Sequence, residues 1–503
     1  MMATKRPRRS MPKVRSGCTT CKIRRVKCDE QRPKCHRCVS TGRACAGFVG
    51  QPQPIPTIKI YSLPCKVPGS RADRELVNFY HCHVAESISK LSDTTMWLEL
   101  IMQQSQYYPV IRNTLVTLSS LYKDFVLVDS ISMATCKNIG LITKAHKQLR
   151  AHLLSRNASV EVTLICSLLF HILECLVGNT QQALWHLDRG LTLFQYYHDE
   201  PLSSMTIPNF DRILAVFSRL DVLASLFDDE RRPILKFDLA KECAKSFDFL
   251  SSGSGSLEDL LEAERLLTIL QNSVMHNLIS FAHHKHNTQD EIPLWIIEES
   301  YNLEQKFQQL EIGLEALSLR KAEESKHNQK QQRIILLQIE ASVFHSALLE
   351  VLSTSLGTTD MSTEADRRFA LAISQIRTLV TTNNEPGIIR QARAFTLSTN
   401  LTAILYYICM KARNREIIES ALSIMQIDLC FTRDGLWDTT IATGVVQSLL
   451  SQSNDRGAQS QPWKTKLEDV GSGIVDTSGG LEEAFRQLKL AESPKTNEVC
   501  LGV

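Results

Sequence analysis

Six cysteines near the N-terminus are the residues of this sequence most suited to chemistry. They have the spacing C-x2-C-x6-C-x6-C-x2-C-x6-C, and they are Cys18, Cys21, Cys28, Cys35, Cys38 and Cys45. A C-x2-C pair places two thiolates within reach of one tetrahedral ion. Each half of the pattern supplies three ligands, whereas zinc takes four. Two zinc ions that share two bridging thiolates would therefore use all six cysteines.

Two other uses of these cysteines are weaker. A disulfide framework is typical of secreted chains, but Met1 to Arg15 is basic and has no apolar signal segment. We therefore expect an intracellular protein, in which patterned cysteines bind metal more often than they form disulfides. A ribbon with a single zinc would leave two cysteines over and would leave the symmetric spacing unexplained.

The residues between the second and third cysteines carry four cations and no anion, namely Lys22, Arg24, Arg25 and Lys27. The run contains neither Gly nor Pro, so we expect it to form a short helix. A helix with this charge does not pack inward. It suits the major groove of DNA, where Lys binds phosphates and Arg binds guanine O6 and N7. The alternative is a solvated basic face without a ligand.

Residues Gly17 to Cys28 (GCTTCKIRRVKC) and Arg32 to Cys38 (RPKCHRC) resemble the fungal binuclear zinc cluster family of transcription factors. The resemblance covers the whole cysteine module. It implies two zinc ions bridged by Cys18 and Cys35. One ion would take Cys18, Cys21, Cys28 and Cys35, and the other would take Cys35, Cys38, Cys45 and Cys18.

The same resemblance implies roles for the cations. Arg24 and Arg25 would read the bases of a CGG-like triplet, and Lys22 and Lys27 would contact phosphates. Family members often have Lys where Arg25 stands, and the two side chains differ in hydrogen-bond geometry.

The net charge of +3 conceals a strong asymmetry. Residues 1 to 45 contain 14 Lys or Arg against Asp29 and Glu30, a net of +12, and the remaining 458 residues carry a net of −9. A basic head on an acidic body indicates a polyanionic partner for the head. The dense run Lys5, Arg6, Arg8 and Arg9 is a candidate for nuclear import.

Composition predicts five segments. They are a basic arm (1–15), the zinc module (16–47, two short helices around the cluster), a linker rich in Pro and Gly (48–73), a large all-α body (74–450) and a flexible tail (451–503). The linker has no heptad pattern for a dimerising coiled coil. The protein would then bind DNA as a monomer, or form a homodimer through its body.

Helical periodicity continues through the body. A helix is predicted to begin at Pro109, and an αα-hairpin is predicted from Ser159–Val177, a break at Gly178–Asn179, and Gln182–Tyr197. Long helices are predicted over Leu303–Leu352 and Ala394–Met410. No stretch matches the roughly 18 uncharged apolar residues that a membrane span requires, and other cysteines such as Cys166, Cys175, Cys243 and Cys409 are expected in the core.

The body resembles the fungal-specific transcription factor domain, in Trp97–Leu121 and from Gly178 to Leu191. Together these features predict a nuclear transcription factor that binds double-stranded DNA, recruits co-regulators or the RNA polymerase II machinery, and controls a metabolic or secondary-metabolite gene cluster. No catalytic motif indicates an enzyme, and no membrane partner is expected. The alternative function is a helical scaffold whose zinc head binds protein or RNA.

Overall fold

The structure is a computed structural model, and it describes residues 16–48, 68–127, 136–155, 159–199, 209–228, 231–239, 241–242, 257–287, 292–322, 328–356, 360–382, 393–397 and 399–454. The predicted basic arm with Lys5, Arg6, Arg8 and Arg9 lies outside these residues, as do Cys243, most of the linker and nearly all of the tail. The chain divides into two compact units, Met1–Val67 and Pro68–Val503.

Within residues 16–48, the first unit has two short helices, α1 (Thr19–Ile23) and α2 (His36–Val39). Five of its cysteines form its buried centre, with Val26, Cys45 and Phe48 packed against them. This centre contains almost no hydrocarbon, so burial of apolar surface contributes little to its stability.

The described part of the second unit is mostly helical, as expected. Its helices are α3 (Arg71–Phe79), α4 (Ala85–Ile88), α5 (Ile101–Tyr107), α6 (Pro109–Leu127), α7 (Cys136–Leu153), α8 (Val160–Val177), α9 (Thr180–Asp199), α10 (Phe210–Phe227), α11 (Leu257–Asn287), α12 (Leu294–Ala322), α13 (Asn328–Leu356), α14 (Asp360–Thr382), α15 (Leu401–Lys411), α16 (Arg415–Ile427) and α17 (Thr439–Asn454). Two π-helical turns, Tyr80–Val84 and Met96–Leu100, adjoin α3 and α5.

The predicted αα-hairpin is confirmed by α8 and α9. Ser159 caps α8 by accepting a hydrogen bond from the Val162 backbone N–H, and Gly178 ends the helix with φ 85°. At Gly190 on α9 a Cβ atom would lie 2.5 Å from Cε1 of Phe217 on α10. Only glycine permits this close approach of the two helices.

Three apolar cores hold the second unit together. Among the described residues, the first contains buried side chains from helices α4 to α10, the second from α13 to α17, and the third from α10 to α13. Helix α13 contributes to two of them, because Ile339 belongs to the second core and Leu337 to the third. A helix that is apolar on opposite faces is expected to be buried on both. Cys166, Cys175 and Cys409 are buried in the first two cores, as expected.

Buried ion pairs fix the helices that the cores share. The Arg219 guanidinium on α10 lies 2.6 Å from the Glu340 carboxylate on α13. Arg231 bridges Asp188 and Asp221 at 2.7 and 2.8 Å. Removal of one partner would leave a buried charge uncompensated, which costs about 3–5 kcal/mol.

A small sheet corrects the all-α prediction. Strand β1 (Ala394–Thr396) pairs in parallel with β2 (Thr432–Asp434), which pairs in antiparallel fashion with β3 (Trp437–Asp438). The buried Asp434 carboxylate accepts hydrogen bonds from the hydroxyls of Thr396 (2.7 Å) and Thr399 (2.6 Å). Strands of two or three residues are too short to show an alternating pattern in the sequence.

Two predicted long helices are also wrong in extent. The segment Leu303–Leu352 belongs to two helices, α12 and α13, and the segment Ala394–Met410 begins as strand β1 before α15 starts at Leu401. Helix α3 begins at Arg71, where Ser70 and Asp73 form a capping box. Helix α17 continues to Asn454.

The expectation that no stretch could span a membrane is too strict. Val160–Val177 and Gln329–Ser353 are long and apolar enough to cross one by length and composition. Both stretches are mostly buried among other helices, and the core helices of water-soluble proteins pass the same test, so this is weak evidence for a span.

Candidate zinc centre and nucleic-acid interface

The two halves of the cysteine pattern fold in the same way. Cys18 and Cys35 are the N-cap residues of α1 and α2. The Cys18 sulfur accepts a hydrogen bond from the Cys21 backbone N–H at 3.3 Å, and the Cys35 sulfur accepts one from the Cys38 N–H at 3.4 Å. Each C-x2-C pair therefore turns both sulfurs toward the centre of the unit.

Each helix then ends in a Schellman motif, which returns the chain toward the cysteines. Val26 N–H donates to the Cys21 carbonyl at 3.1 Å, and Arg43 N–H donates to the Cys38 carbonyl at 3.0 Å. The motif requires a left-handed residue, and the two halves supply different ones. Arg25 has φ 53°, and Gly42 has φ 65°. A non-glycine residue costs roughly 1–2 kcal/mol in this conformation.

The predicted helix over Lys22 to Lys27 is therefore wrong in its extent. Helix α1 ends at Ile23, Arg24 is its C-cap, and Arg25 is left-handed. The chain must leave the helix here because Cys28 has to rejoin the other sulfurs. The repeat of 17 residues that relates the halves aligns Arg25 with Gly42, so this turn was detectable in the sequence.

The six cysteines form two overlapping groups of four. In each group all the sulfurs lie within 4.8 Å of one another, and the groups are Cys18, Cys21, Cys28, Cys35 and Cys18, Cys35, Cys38, Cys45. Both groups contain Cys18 and Cys35, whose sulfurs are 3.6 Å apart. Sulfurs that surround one zinc tetrahedrally at 2.3 Å are about 3.8 Å apart. The cluster fits two zinc ions.

The pKa values of two of the buried thiols support the same fit. Burial raises the pKa of the Cys21 thiol to about 12, and burial also raises the pKa of Cys18. The sulfurs accept hydrogen bonds from backbone N–H groups, but no cation pairs with them among the described residues. Divalent ions would supply the missing positive charge and hold the sulfurs as thiolates.

Both acidic residues of this unit are held by local hydrogen bonds. The Asp29 carboxylate accepts from the backbone N–H groups of His36 (2.9 Å) and Arg37 (3.2 Å) at the start of α2. Glu30 accepts from the Ser16 hydroxyl at 2.7 Å. Neither carboxylate forms an ion pair within residues 16–48, so neither neutralises a basic side chain there.

The segment after Cys45 closes the unit against α1. Thr19 N–H donates to the Gly47 carbonyl at 2.9 Å, and Ala46 N–H donates to the Thr20 hydroxyl at 2.9 Å. Phe48 packs against the cysteines, with the Arg32 guanidinium 5.2 Å from its ring centre. The loop between the halves contains a cis peptide bond at Arg32–Pro33.

The four cations singled out in the sequence lie on the surface of this unit. Lys22, Arg25 and Lys27 are exposed, and Arg24 is half-buried. The Arg24 guanidinium Nη1 donates to the Thr41 hydroxyl at 3.4 Å, so Arg24 is oriented by a residue of the other half. Sequence reasoning missed Thr41, since a contact between the halves has no signal in residue spacing.

The comparison with known proteins agrees with this geometry. The sequence model of the fungal Zn(2)-Cys(6) binuclear cluster domain matches residues 16–53. This part of the chain is a Zn(2)-Cys(6) domain. Its cysteines bind metal, and the cluster accounts for all six of them.

Relatives of the Zn(2)-Cys(6) domain are fungal transcription regulators. The chain is 71% identical over 34 residues to the aspercryptin biosynthesis cluster-specific transcription regulator atnN of Emericella nidulans, which covers 7% of this chain and 6% of that protein. It is 51% identical over 39 residues to a Zn(2)-C6 fungal-type transcription factor of Gibberella zeae, covering 8% of each.

One relative is similar over a longer stretch. The chain is 24% identical over 205 residues to the transcription regulator lscL of Purpureocillium lilacinum, which covers 36% of this chain and 49% of that protein. The chain thus spans about half the length of lscL and less than a tenth of atnN. Since 205 residues exceed the length of the Zn(2)-Cys(6) domain, part of this similarity lies outside it.

Proposed function

We propose that the protein is a nuclear, sequence-specific transcription regulator whose Zn(2)-Cys(6) domain binds double-stranded DNA. The observation that carries this proposal is the group of uncompensated cations on a domain built to hold two zinc ions. Transcription regulators among the relatives support it, and such proteins are typically not enzymes.

The electrostatic argument rests on eight basic residues within 16–48. Apart from Arg24, which is half-buried, all are exposed, and none forms an ion pair within this range; they are Lys22, Arg24, Arg25, Lys27, Arg32, Lys34, Arg37 and Arg43. A small unit with this excess charge attracts the phosphates of a nucleic acid, and their neutralisation releases counterions. The proposed partner is therefore a polyanion.

The zinc ions would have a structural role. In this proposal Cys18 and Cys35 bridge the two ions, because each belongs to both groups of four sulfurs. Cys21 and Cys28 complete one site, and Cys38 and Cys45 complete the other. The ions hold α1 and its C-terminal turn in place, which fixes the positions of the basic side chains.

The cations at the end of α1 would have two roles, contact with bases and contact with phosphates. Arg24 is oriented by Thr41 and reads base edges together with Arg25, for which a CGG-like triplet is the proposed target. Lys22 and Lys27 are exposed ammonium groups that suit phosphates. Arg24→Ala is expected to relax base preference at a cost of roughly 1–3 kcal/mol, and Lys22→Ala to weaken binding uniformly.

Site selection from a random duplex library with the full chain, at a stated salt concentration, tests these roles. We expect enrichment of a CGG-type triplet by the unmodified chain and loss of that preference in Arg24→Ala. Thr41→Val should act in the same direction with a smaller effect. Lys34→Ala is the matched control, because Lys34 is an exposed cation that belongs neither to α1 nor to its C-terminal turn.

The outcomes separate the hypotheses. Enrichment of no sequence would contradict specific DNA reading. A uniform loss of affinity in Arg24→Ala, equal to that in Lys34→Ala, would contradict the base-reading role of Arg24 alone and leave the phosphate contacts standing.

The genes under control are a further part of the proposal. Since the relative atnN is named as specific to a biosynthesis cluster, we infer that this protein controls a metabolic or secondary-metabolite gene cluster. The helical body would recruit co-regulators or mediate a homodimer. The run Lys5, Arg6, Arg8 and Arg9 would direct nuclear import, and no membrane partner is proposed.

The alternative is a scaffold whose zinc head binds protein or RNA. Two apolar side chains favour it, because Ile23 on α1 is 77% exposed and Val39 on α2 is 57% exposed. Binding of duplex DNA without any sequence preference in the same selection experiment would support this function, as would high affinity for RNA in a separate titration.

A further inference from the structure

Three side chains of the helical body converge far from the cysteine pattern in sequence. His146 on α7, Glu174 on α8 and His186 on α9 each offer one ligand atom, and these atoms all lie within 4.8 Å of one another. Two imidazoles and a carboxylate are a common donor set for divalent transition metals. Neither the cysteine module nor the proposed DNA contacts involve these residues.

A second observation points to a ligand at this place. The Nε2 atom of His186 is buried and has no hydrogen-bond partner among the described residues, and the whole residue is only 4% exposed. An imidazole nitrogen left unpaired in the interior costs free energy of desolvation. A metal ion would satisfy it.

Glu174 is the acidic member of the group. The residue is 7% exposed, and its carboxylate Oε1 lies 3.9 Å from Nε2 of His146, which is beyond hydrogen-bond distance. A buried carboxylate is stable only with close compensation of its charge. A divalent ion between Glu174 and His146 would provide that compensation.

Aromatic packing holds the histidine rings in position. The Phe170 ring packs against both, 4.4 Å from the His146 ring and 5.2 Å from the His186 ring, and the two histidine rings are 5.3 Å apart, measured between centres. Trp185 meets His186 edge-on at 5.0 Å. His186 and Phe170 are buried, whereas 40% of the His146 side chain is exposed, so the group is accessible from the His146 side.

We propose that His146, Glu174 and His186 form a third divalent-metal site of the zinc class, separate from the Zn(2)-Cys(6) cluster. Ligands at about 2.0–2.1 Å from a tetrahedral zinc lie roughly 3.3 Å apart. The 3.9 Å between His146 and Glu174 therefore has to close by less than an ångström, and no pair of ligand atoms in the group has to close by more than about 1.5 Å. A water molecule would take the fourth position, and the ion would tie α7 to the hairpin of α8 and α9.

Metal content of the full chain tests the site directly. After saturation with Zn²⁺ and removal of loosely held ions, we expect His146→Ala and Glu174→Gln each to hold about one zinc fewer per chain than the unmodified protein. Both changes leave the cysteines intact. His146→Ala removes a ring that packs against Phe170, whereas Glu174→Gln preserves the shape of the side chain and separates loss of metal from loss of packing.

His81→Ala is the matched control, because His81 is an exposed histidine of the same unit outside the group. It should hold as much zinc as the unmodified chain. Equal zinc content in the unmodified chain, His146→Ala and Glu174→Gln would overturn the proposal.

Cobalt distinguishes this site from the cysteine cluster. Co²⁺ bound by thiolates shows sulfur-to-metal charge-transfer absorption, whereas Co²⁺ bound by nitrogen and oxygen shows only d–d bands. We expect Glu174→Gln to lose d–d intensity and to keep the charge-transfer bands. A spectrum unchanged by this substitution would contradict the third site, and absence of the charge-transfer bands would instead contradict the zinc cluster.

Discussion

The Zn(2)-Cys(6) domain and the helical body are stabilised by different physical means. The buried centre of the domain consists of cysteines, and burial raises the pKa of the Cys21 thiol. A metal ion would compensate the negative charge of the thiolate. The body instead buries three apolar cores spread over fourteen helices of the described chain, α4 to α17. One unit depends on a few bonds to metal, and the other on many small contacts.

This difference determines how much of the function can be predicted from the sequence of each unit. Ligand spacing in a metal site is strict, so the cysteine pattern specifies both the ion and the local fold. An apolar core accepts many residues of similar volume. The sequence of the body therefore specifies helices, but it carries little information about a ligand or partner.

Removal of a bridging cysteine should have the largest effect. Cys35→Ser takes a ligand from both groups of four, whereas Cys45→Ser takes a ligand from one. Since structural zinc contributes on the order of 10 kcal/mol to a small domain, we expect Cys35→Ser to lose both ions and to weaken specific DNA binding by at least about 100-fold. Cys45→Ser should keep more metal than Cys35→Ser.

Zinc analysis and binding titrations at fixed salt measure this effect, and far-UV circular dichroism measures the helix content of the body. Cys82→Ser is the control, because Cys82 is exposed and lies in neither group. The helical signal of the body should persist in every variant. Loss of that signal together with the zinc would break the contrast between the two units.

Acid should destabilise the body through His171. Burial lowers the pKa of this side chain from its usual 6.5 to about 4, while its Nδ1 lies 2.9 Å from the Ala183 carbonyl. The unfolded chain therefore takes up the proton first as the pH falls. The contribution of this buried neutral imidazole to the free energy of unfolding should be fully present above pH 6.5. It should decrease by about 3 kcal/mol between pH 6.5 and 4.

Urea unfolding of the full chain at several pH values, followed through the helical signal, measures this loss. His171→Gln removes one titrating group and should reduce the dependence in that window, and His186, whose pKa burial also lowers to about 4, should account for part of the remainder. His81→Ala, which removes an exposed histidine, should leave it unchanged. An equally steep dependence in His171→Gln would show that other groups cause it.

The smallest effect is expected from substitutions at the two equivalent left-handed positions of the zinc domain. Gly42 and Arg25 hold equivalent left-handed positions, and a Cβ at Gly42 meets no atom within 4 Å. Gly42→Ala should therefore destabilise the domain through backbone conformation alone, by about 1 kcal/mol. Arg25→Gly relieves that strain, but it adds freedom to the unfolded chain, so its net effect should stay within about 1 kcal/mol.

Zinc-dependent unfolding of the two variants measures these changes, and DNA titration measures the role of the side chain. If Arg25 contacts DNA, Arg25→Gly loses affinity without losing the fold, and Gly42→Ala shows the reverse. Equal loss of affinity in both variants would show that the conformation of the turn matters for DNA binding and that the Arg25 guanidinium does not.

Predictions from the sequence succeeded where one local signal dominates. Ser159, the apolar run after it and Gly178 specify helix α8 and its ends, and Pro109 specifies the start of α6. They failed where a contact between residues distant in sequence determines whether an element forms or where it ends. Strand β1 forms because β2, almost forty residues later, lies beside it, and α1 ends early because Cys28 must return to the other sulfurs.

The sequence alone determined that six cysteines at a repeated spacing suit two zinc ions, because coordination fixes ligand type and number. It also determined where the positive charge lies. The family resemblance placed Cys18 and Cys35 in both ligand sets, and the positions of the sulfurs agree with it. The contact of Thr41 with Arg24 and the meeting of His146, Glu174 and His186 came from the folded structure alone. These depend on distances between residues far apart in the chain, which packing sets and residue spacing does not encode.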